Sequence, residues 1–434
     1  MIDKLYEGAE DFFDHEIYKS HFSKECVKVQ EYNNATILPF KILEDGFWGG
    51  GLVTEKNKFL TNTGVHNDST KAYPYDEQEV TYVDEEVVFL GMFNGVWGHN
   101  ITDDLRRLWI VNDEKYRHLL KDHKLVYIPI DRFRFSKSFL QLLECLGIDR
   151  TMLKAVSSLV KYRKVLLPDE CFFKKETEAR YFTVEYNNLI KTIKNYCYDK
   201  SVGNSEPQNH KKIYFTYSKY KKNVSYGEKY LEDFFRNRGY SVVAPEDYDF
   251  FEQIYLLKNC DSLVTTVGSC SHNCIFLNDN AELVLIPRTY CLTGYQLALN
   301  EVNDLKITWL DSSFSDSVQR NYPYMGPYCL GITSNLLKFY GLENEKLPEK
   351  LYLDMINTYC EYFAKCVVKY RKKNTQAPDY YKSAVRYELK NILCKSKMSM
   401  FHFKMLQSRA IAKYLFHKAI KKAIKIMDKR TGEI

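Results

Sequence analysis

Short apolar runs alternate with helical patterns twice along this chain of 434 residues, and this alternation limits the possible folds most. The first series has apolar runs at 86–93, 124–130 and 164–168. The second series begins at Lys212 and continues to Ile286. Short buried strands that alternate with amphipathic helices are typical of parallel βαβ units. The sequence therefore predicts an α/β protein with two successive lobes.

A polar stretch between the two series sets the predicted domain boundaries. Residues 201–210 (SVGNSEPQNH) combine Gly, Pro, Ser and Asn with almost no apolar side chains, as linkers do. The ligand site of such a protein is expected in the cleft between the lobes. The predicted division is an N-terminal lobe at 1–200, the linker at 201–210, a second lobe at 211–345 and a helical extension at 346–434.

Composition excludes several classes of protein. A hydrophobic fraction of 45% and a charged fraction of 27% exclude a disordered chain, a collagen-like fibre and a polytopic membrane protein. The acidic, polar start of the sequence lacks the apolar segment of a signal peptide. The 12 cysteines lack paired CxxC spacings, which favours reduced thiols over a zinc site or a disulfide framework. We therefore expect a cytoplasmic protein.

The C-terminal segment carries a charge opposite to that of the rest of the chain. Residues 380–434 contain 14 Lys and Arg against three acids, whereas the remainder is mildly acidic. Apolar and basic residues interleave from Met400 to Ile426, the pattern of an interfacial amphipathic helix. This pattern predicts that residues 380–430 bind an anionic membrane surface, on the inner face of the cytoplasmic membrane. An oligomerisation helix, or a helix packed on the body, is the alternative.

The first motif that could carry chemistry is GHNITDDLRRLW, which begins at Gly98 after a predicted strand and enters a helix predicted from about 102 to 116. His99 and Asp103 are four residues apart and share one face if a helix begins there. A carboxylate can then take a proton while the imidazole orients it, or the reverse. The alternative is that Thr102 or Asp103 only caps the helix. A metal site is disfavoured, because the pair supplies only two ligands.

The second motif, at residues 266–273 (TVGSCSHN), joins a predicted strand to a helix. Small side chains let a ligand approach the backbone, and free N–H groups at a helix start bind anions. The alternative is a plain turn with Ser269 or Ser271 as the N-cap.

The third motif is the basic loop at residues 217–223, which follows the strand that begins at Lys212. Its lysines could neutralise a diphosphate at the edge of the sheet. A solvated charged turn is the alternative.

Taken in order, these motifs resemble glycosyltransferase family 61, the DUF563-type group. Its members tend to show a GHFxxDxLPRLW-like segment, K-I-Y-(I/V)-S-R, a P-E…EQ stretch and H-G-A-x-L-x-N-x-(L/I)-F. The corresponding segments here read GHNITDDLRRLW, KIYFTYSK, APEDYDFFEQIYLL and VGSCSHNCIFL. The resemblance covers about residues 85–290.

The chain departs from the family pattern at three places. The family's Ser-Arg pair is replaced by Tyr217-Ser218-Lys219. Val267 stands where the family has a histidine, while His272 lies inside the turn. Arg106 replaces a proline, a change that a helix tolerates.

The resemblance implies a GT-B architecture, in which two Rossmann-like lobes face a cleft. It also implies inverting transfer from a nucleotide-sugar without an obligatory metal or other cofactor, in the bacterial synthesis of capsule or lipopolysaccharide. The expected donor is a UDP-sugar held by the second lobe. The expected acceptor is a glycan or a lipid-linked glycan held by the first.

The same resemblance assigns roles to single residues. Asp103 is the expected base, with His99 orienting it or contacting substrate. Glu252 has an alternative role as an acid at a helix start, and Arg107 can instead pair with Asp103 or Asp104. The expected donor-binding residues are Lys219, Lys222, Glu246, Glu252, Gly268, Ser269, Ser271, His272 and Asn273, and the acceptor-side residues are Asn100 and Arg107.

Two other functions compete with this interpretation. A nucleic-acid-binding protein that uses the basic tail is disfavoured, because the body is acidic and no nucleic-acid-binding motif is present. A non-catalytic module that binds a sugar or a nucleotide remains the second alternative, with Asp103 only as a helix cap.

Overall fold

A computed structural model describes residues 2–4, 20–64, 70–131, 133–175, 179–201, 210–219, 225–288, 293–315, 327–370 and 379–431. Two sheets rich in parallel strands are flanked by helices, which confirms the predicted α/β class. Most of the predicted linker, residues 202–209, lies outside the described residues.

Strands and helices follow the chain in this order. The strands are β1 Ile2–Lys4, β2 Val29–Ile42, β3 Trp48–Val53, β4 Phe59–Leu60, β5 Thr70–Lys71, β6 Thr81–Phe93, β7 Lys124–Pro129, β8 Leu153–Ala155, β9 Val160–Pro168, β10 Phe172–Lys174, β11 Arg180–Phe182, β12 Lys212–Phe215, β13 Ser225–Tyr226, β14 Ser241–Val243, β15 Ser262–Thr266, β16 Glu282–Ile286, β17 Lys306–Trp309 and β18 Tyr328–Cys329. The helices are α1 Trp97–Asn100, α2 Leu119–Asp122, α3 Lys137–Cys145, α4 Val184–Ser201, α5 Glu228–Arg236, α6 Phe250–Lys258, α7 Gly294–Asn300, α8 Ser334–Phe339, α9 Glu349–Tyr370, α10 Asp379–Lys395 and α11 Met400–Thr431.

The first sheet is mixed and has the order β4-β3-β2-β9-β6-β7-β8, with β5 paired to β3. Strand β2 is antiparallel to both β3 and β9, whereas β6 is parallel to β9 and β7. The last seven residues of β6, from Val87 to Phe93, are all buried. This burial on both faces explains why that strand appears in the sequence as a continuous apolar run.

The second sheet is parallel throughout and has the order β1-β17-β16-β15-β12-β14. From β12 the chain moves outward to β14 and then returns to the other side of β12 as β15. The direction of winding therefore reverses between β12 and β15. Open α/β sheets bind ligands in the crevice at the carboxyl ends of the strands at such a point.

One buried apolar cluster connects the two sheets. It runs from Phe93 of the first sheet through Phe139 of α3 and Phe250 of α6 to Leu263 of the second sheet. The rings of Phe93 and Phe139 are 5.7 Å apart between centroids, and those of Phe250 and Phe276 are also 5.7 Å apart. The helices between the sheets thus hold the carboxyl ends of β6 and β15 in a defined relation.

The prediction of a helix from about 102 to 116 is wrong. Helix α1 ends at Asn100, turns follow, and residues 108–111 form a short 3-10 helix. Side chains in this segment make buried polar contacts instead: Arg106 and Arg107 both pair with Glu170, at N–O distances of 3.1 and 3.2 Å. Neighbouring residues of an α-helix point about 100° apart, so turns suit this convergence better.

Candidate active site

The segment after β6 contacts the turn after β15. The Trp97 indole N–H donates a hydrogen bond of 2.7 Å to Asn273 Oδ1. A Cβ atom on Gly98 would lie 3.0 Å from Ser269 Oγ and 3.1 Å from His272 Nδ1. A side chain at position 98 would therefore displace the turn by a few tenths of an ångström. Two motifs about 170 residues apart in the sequence form one site.

His99 and Asp103 form a hydrogen-bonded pair, with 2.5 Å between His99 Nδ1 and Asp103 Oδ2. The Tyr295 hydroxyl donates to the same carboxylate, at 3.1 Å from Oδ1 and 3.0 Å from Oδ2. The His99 side chain is 28% exposed, whereas that of Asp103 is 7% exposed. Of this pair, the imidazole is the more accessible group.

Opposing effects set the protonation of this pair and of the histidine in the turn. Burial lowers the pKa of His99, but the hydrogen bond and the charge of Asp103 outweigh it and raise that pKa overall. Burial, reinforced by the charge of His99, lowers the pKa of His272 to about 4. His272 is therefore neutral at pH 7, whereas Asp103 favours the protonated form of His99.

Asp104 differs from its neighbour because it is fully enclosed. It accepts hydrogen bonds from the Asn94 backbone N–H at 3.0 Å and from Asn100 Nδ2 at 2.6 Å. Burial nevertheless raises the pKa of this carboxyl to about 7. Asp104 and the predicted acceptor-side residue Asn100 thus stabilise the loop that carries His99.

Tyr295 and Arg180 belong to the site although no sequence motif contains them. The guanidinium carbon of Arg180 lies 4.5 Å from the centroid of the Tyr295 ring. The same ring lies 5.7 Å from that of His99 and 6.3 Å from that of His272. Because these residues come from β11 and the start of α7, only the tertiary structure brings them together.

The predicted donor-binding turn is tied into the protein by its own side chains. Ser271 Oγ accepts a hydrogen bond of 3.0 Å from the Gly268 backbone N–H. The Asn273 side chain also contacts Gln253, because its Nδ2 donates a hydrogen bond of 3.2 Å to Gln253 Oε1. Ser271 and Asn273 are buried. Their contacts fix the shape of the turn, while Ser269 and His272 face Gly98.

Three of the other predicted donor-binding residues, Lys219, Glu246 and Glu252, lie on exposed surface. Lys219 pairs with Asp247. Glu252 forms a capping box with Asp249, at 2.7 and 3.1 Å, so it stabilises the start of α6. Glu246 is exposed in the 3-10 helix Pro245–Asp247. Lys222 lies outside the described residues.

Arg107, the other predicted acceptor-side residue, is fully buried. Besides Glu170, its guanidinium donates to the carbonyl oxygens of Asn62, at 2.5 Å, and Pro168. It pairs with Glu170 rather than with the aspartates at helical spacing. These contacts tie the loop after β6 to the first sheet.

Within the described ranges, no group of three or more His, Cys, Asp or Glu side chains could hold a metal ion. Among the described helices, none combines the length and the apolar character that crossing a bilayer requires.

The comparisons with known proteins point to one class of enzyme. The family described as Glycosyltransferase 61 matches residues 97–284, which include the His99–Asp103 pair and the turn at Gly268. No curated protein matches the chain. The match covers less than half of the chain and supports the family resemblance. Over this segment the chain is similar to glycosyltransferases of family 61, and its α/β architecture is consistent with such an enzyme.

Proposed function

We propose that the protein is an inverting, metal-independent glycosyltransferase of GT-B architecture. Its donor is a nucleotide-sugar, with a UDP-sugar as the expected choice, and its acceptor is a glycan or a lipid-linked glycan. The contact between the His99–Asp103 segment and the turn at Gly268 carries the proposal, because it joins a proton-accepting pair to the crevice of a parallel sheet. The family match over the same residues supports it.

We assign the role of base to His99 and an orienting role to Asp103. Inversion places the base on the acceptor side, opposite the leaving diphosphate. With Nδ1 hydrogen-bonded to Asp103, the other ring nitrogen of His99 is the atom suited to accept the proton of the acceptor hydroxyl. Asp103 then stabilises the imidazolium, as carboxylates do in other acid–base pairs. The sequence favoured the opposite assignment, but Asp103 is the more enclosed partner.

The first test measures sugar transfer with a panel of UDP-, GDP-, CMP- and dTDP-sugars. General base catalysis contributes about 10²–10⁴-fold, so His99→Gln should lose about that much turnover. Thermal stabilisation by the nucleotide should persist, because the acceptor-side base does not hold the donor. The exposed His118, changed to Gln, is the matched control.

Two results would contradict the proposal. Wild-type turnover in the His99→Gln variant would remove the base assignment. Nucleotide binding by the wild-type protein without any transfer would favour a non-catalytic binding module instead.

The C-terminal helix supports a proposed attachment to an anionic membrane, on the cytoplasmic face of a bacterial cell that builds capsule or lipopolysaccharide. One face of α11 packs on α9, where Phe403 is buried and stacks on Tyr359 at 6.1 Å between centroids. Another face leaves Phe401 and Phe416 74% and 66% exposed. Exposed aromatic residues among many lysines suit a surface of anionic lipids.

Co-sedimentation with vesicles tests this attachment. We expect the double variant Phe401→Ser, Phe416→Ser to bind vesicles that contain phosphatidylglycerol at least about 10-fold more weakly, since each buried Phe contributes about 1.5–3 kcal/mol. High salt should weaken wild-type binding, because each basic residue near the surface adds about 1 kcal/mol. Tyr387→Ser, which alters a side chain 65% exposed on α10, is the control.

Unchanged vesicle binding by the double variant would contradict the attachment. A lower molecular mass in solution for that variant would instead indicate that α11 mediates oligomerisation.

A further inference from the structure

Arg288 lies at the point where the winding of the second sheet reverses. It follows β16, and its Nε donates a hydrogen bond of 2.5 Å to the carbonyl oxygen of Val267, which follows β15. Its guanidinium carbon lies 4.5 Å from the ring centroid of Tyr217, which follows β12. The side chain therefore crosses the carboxyl ends of the two strands between which a ligand is expected.

The charge of Arg288 is buried near Glu228, where it opposes the rise in the pKa of that carboxyl caused by burial. Arg288 is 6% exposed, and no carboxylate in the described part of the chain forms an ion pair with it. The nearby Glu228 instead accepts hydrogen bonds from the Tyr214 and Ser225 hydroxyls, at 2.6 and 2.9 Å. The rings of Tyr217 and Tyr328 stabilise the guanidinium only in part. A buried cation of this kind is favourable when an anion completes its surroundings.

The glycine of the second motif is explained by this side chain. A Cβ atom on Gly268 would lie 1.6 Å from Arg288 Nη2, a distance that excludes any other residue while the arginine keeps its position. The guanidinium therefore lies against the bare backbone of the turn. In the same turn, Ser269 and His272 lie against Gly98, which precedes His99 of the His99–Asp103 pair. The cation and the proposed base thus flank the same short segment.

We propose that Arg288 binds the diphosphate of the donor and stabilises it as it leaves, an inference that rests on the glycosyltransferase function proposed above. In the transfer step the bond between the anomeric carbon and the diphosphate oxygen breaks, and its electron pair stays on that oxygen. The acceptor oxygen forms the new bond to the anomeric carbon, and its proton passes to His99. Arg288 exchanges no proton: its fixed positive charge offsets the negative charge that develops on the diphosphate.

Calorimetric binding of inorganic pyrophosphate and of UDP to the full chain tests the site without requiring turnover. Arg288→Gln should weaken binding of both probes by about 10–100-fold, the loss expected for a charge-assisted hydrogen bond. Uridine, which carries no phosphate, should bind the variant and the wild-type protein equally. Turnover should fall by about 10²–10³-fold, as for removal of one donor to a developing charge.

Two further variants keep the test decisive. Arg238→Gln is the matched control, because Arg238 also stacks on a ring, that of Phe234 at 3.6 Å, and should leave pyrophosphate binding unchanged. Arg288→Lys retains the charge without the forked donors, and we expect about 10-fold weaker binding. If Arg288→Gln fails to fold, the affinity of Arg288→Lys for pyrophosphate tests the proposal.

Pyrophosphate and UDP affinities equal to wild type in both Arg288 variants would overturn the inference, as would a wild-type protein that binds neither probe. Loss of pyrophosphate binding in a protein that transfers no sugar would support the anion site and contradict the glycosyltransferase function. The experiments can therefore contradict the anion site and the glycosyltransferase function independently of each other.

Discussion

At the scale of single residues, the environment of each carboxylate decides its role. Asp103 and Asp104 are neighbours in the sequence, yet the first pairs with His99 and the second with Asn94 and Asn100. Only the first contacts a side chain that is partly exposed. The spacing from His99 singled out Asp103 in the sequence, and the enclosure of Asp104 arises from packing.

The pH dependence of transfer follows from the pair. Asp103 raises the pKa of His99, and the neutral imidazole is the active base, so activity should rise with pH through that pKa. Asp103→Asn removes the negative charge, which should lower the pKa of His99 and move the rising limb of kcat/KM to lower pH. The plateau should also fall, by about 10²–10⁴-fold, because the ring loses its orienting partner. If the rising limb of kcat/KM stays at the wild-type pH in Asp103→Asn, a group other than His99 controls it.

The raised pKa of Asp104 predicts that the stability of the protein depends on pH. Its pKa is raised from 3.8 to about 7, so the folded state holds a proton that the unfolded state releases. Its contribution to stability is complete below about pH 4 and is lost as the pH rises to about 7. As the pH increases over this range, the unfolding free energy of Asp104→Asn should therefore rise relative to that of wild type, by up to about 1.4 kcal/mol per pH unit. Urea unfolding at several pH values measures it, and a constant difference would contradict the assignment.

At the scale of elements, the loop after β6 depends on buried charge rather than on helical hydrogen bonds. Arg106 and Arg107 converge on Glu170, which lies just after β9, and all three side chains are at most 5% exposed. This convergence holds the loop against the first sheet. Apolar periodicity alone suggested a helix here, because it cannot record which distant carboxylate the arginines will meet.

Removing the negative charge of Glu170 should therefore destabilise the folded protein. Glu170→Gln leaves two buried guanidinium groups without their anion, and we expect a loss of about 3–5 kcal/mol in unfolding free energy. Glu25→Gln is the matched control, since Glu25 pairs with Lys175 at 2.8 Å on exposed surface and should lose at most about 1 kcal/mol. Equal effects of the two changes in chemical denaturation would contradict this role of Glu170.

At the scale of the whole molecule, the site exists because two sheets present their strand ends to each other. The buried cluster that joins them includes α3 and α6, and it brings Gly98 to the turn at Gly268. Small displacements between the sheets would therefore separate the proposed base from the proposed donor crevice. The geometry of the proposed active site is a property of the joined sheets and of neither one alone.

Gly98→Ala tests this dependence. The added methyl would lie 3.0 Å from Ser269 Oγ and 3.1 Å from His272 Nδ1, so the turn would have to shift by a few tenths of an ångström. We expect turnover to fall by about 10-fold or more, because catalysis is sensitive to misplacements of this order. The thermal unfolding midpoint should change little. Turnover at the wild-type level would show that the two segments need not be in contact during catalysis.

The sequence by itself determined the α/β class and the positions of most strands and helices in the second lobe, because burial along a strand or a helix leaves a local periodicity. It also placed His99 and Asp103 on one motif. Within the long strand β2, the sequence showed only a short strand-like piece at residues 35–43 (ATILPFKIL), because the partner strands β3 and β9 supply much of the order of the rest.

Only the tertiary structure decided which residues complete the site. Tyr295, Arg180 and Arg288 come from separate elements and carry no motif, yet two of them contact the His99–Asp103 environment and the third crosses the sheet crevice. Their meeting depends on the order of the strands and on where the winding of the sheet reverses. That order is fixed by packing between elements distant in the chain, which no local pattern of residues encodes.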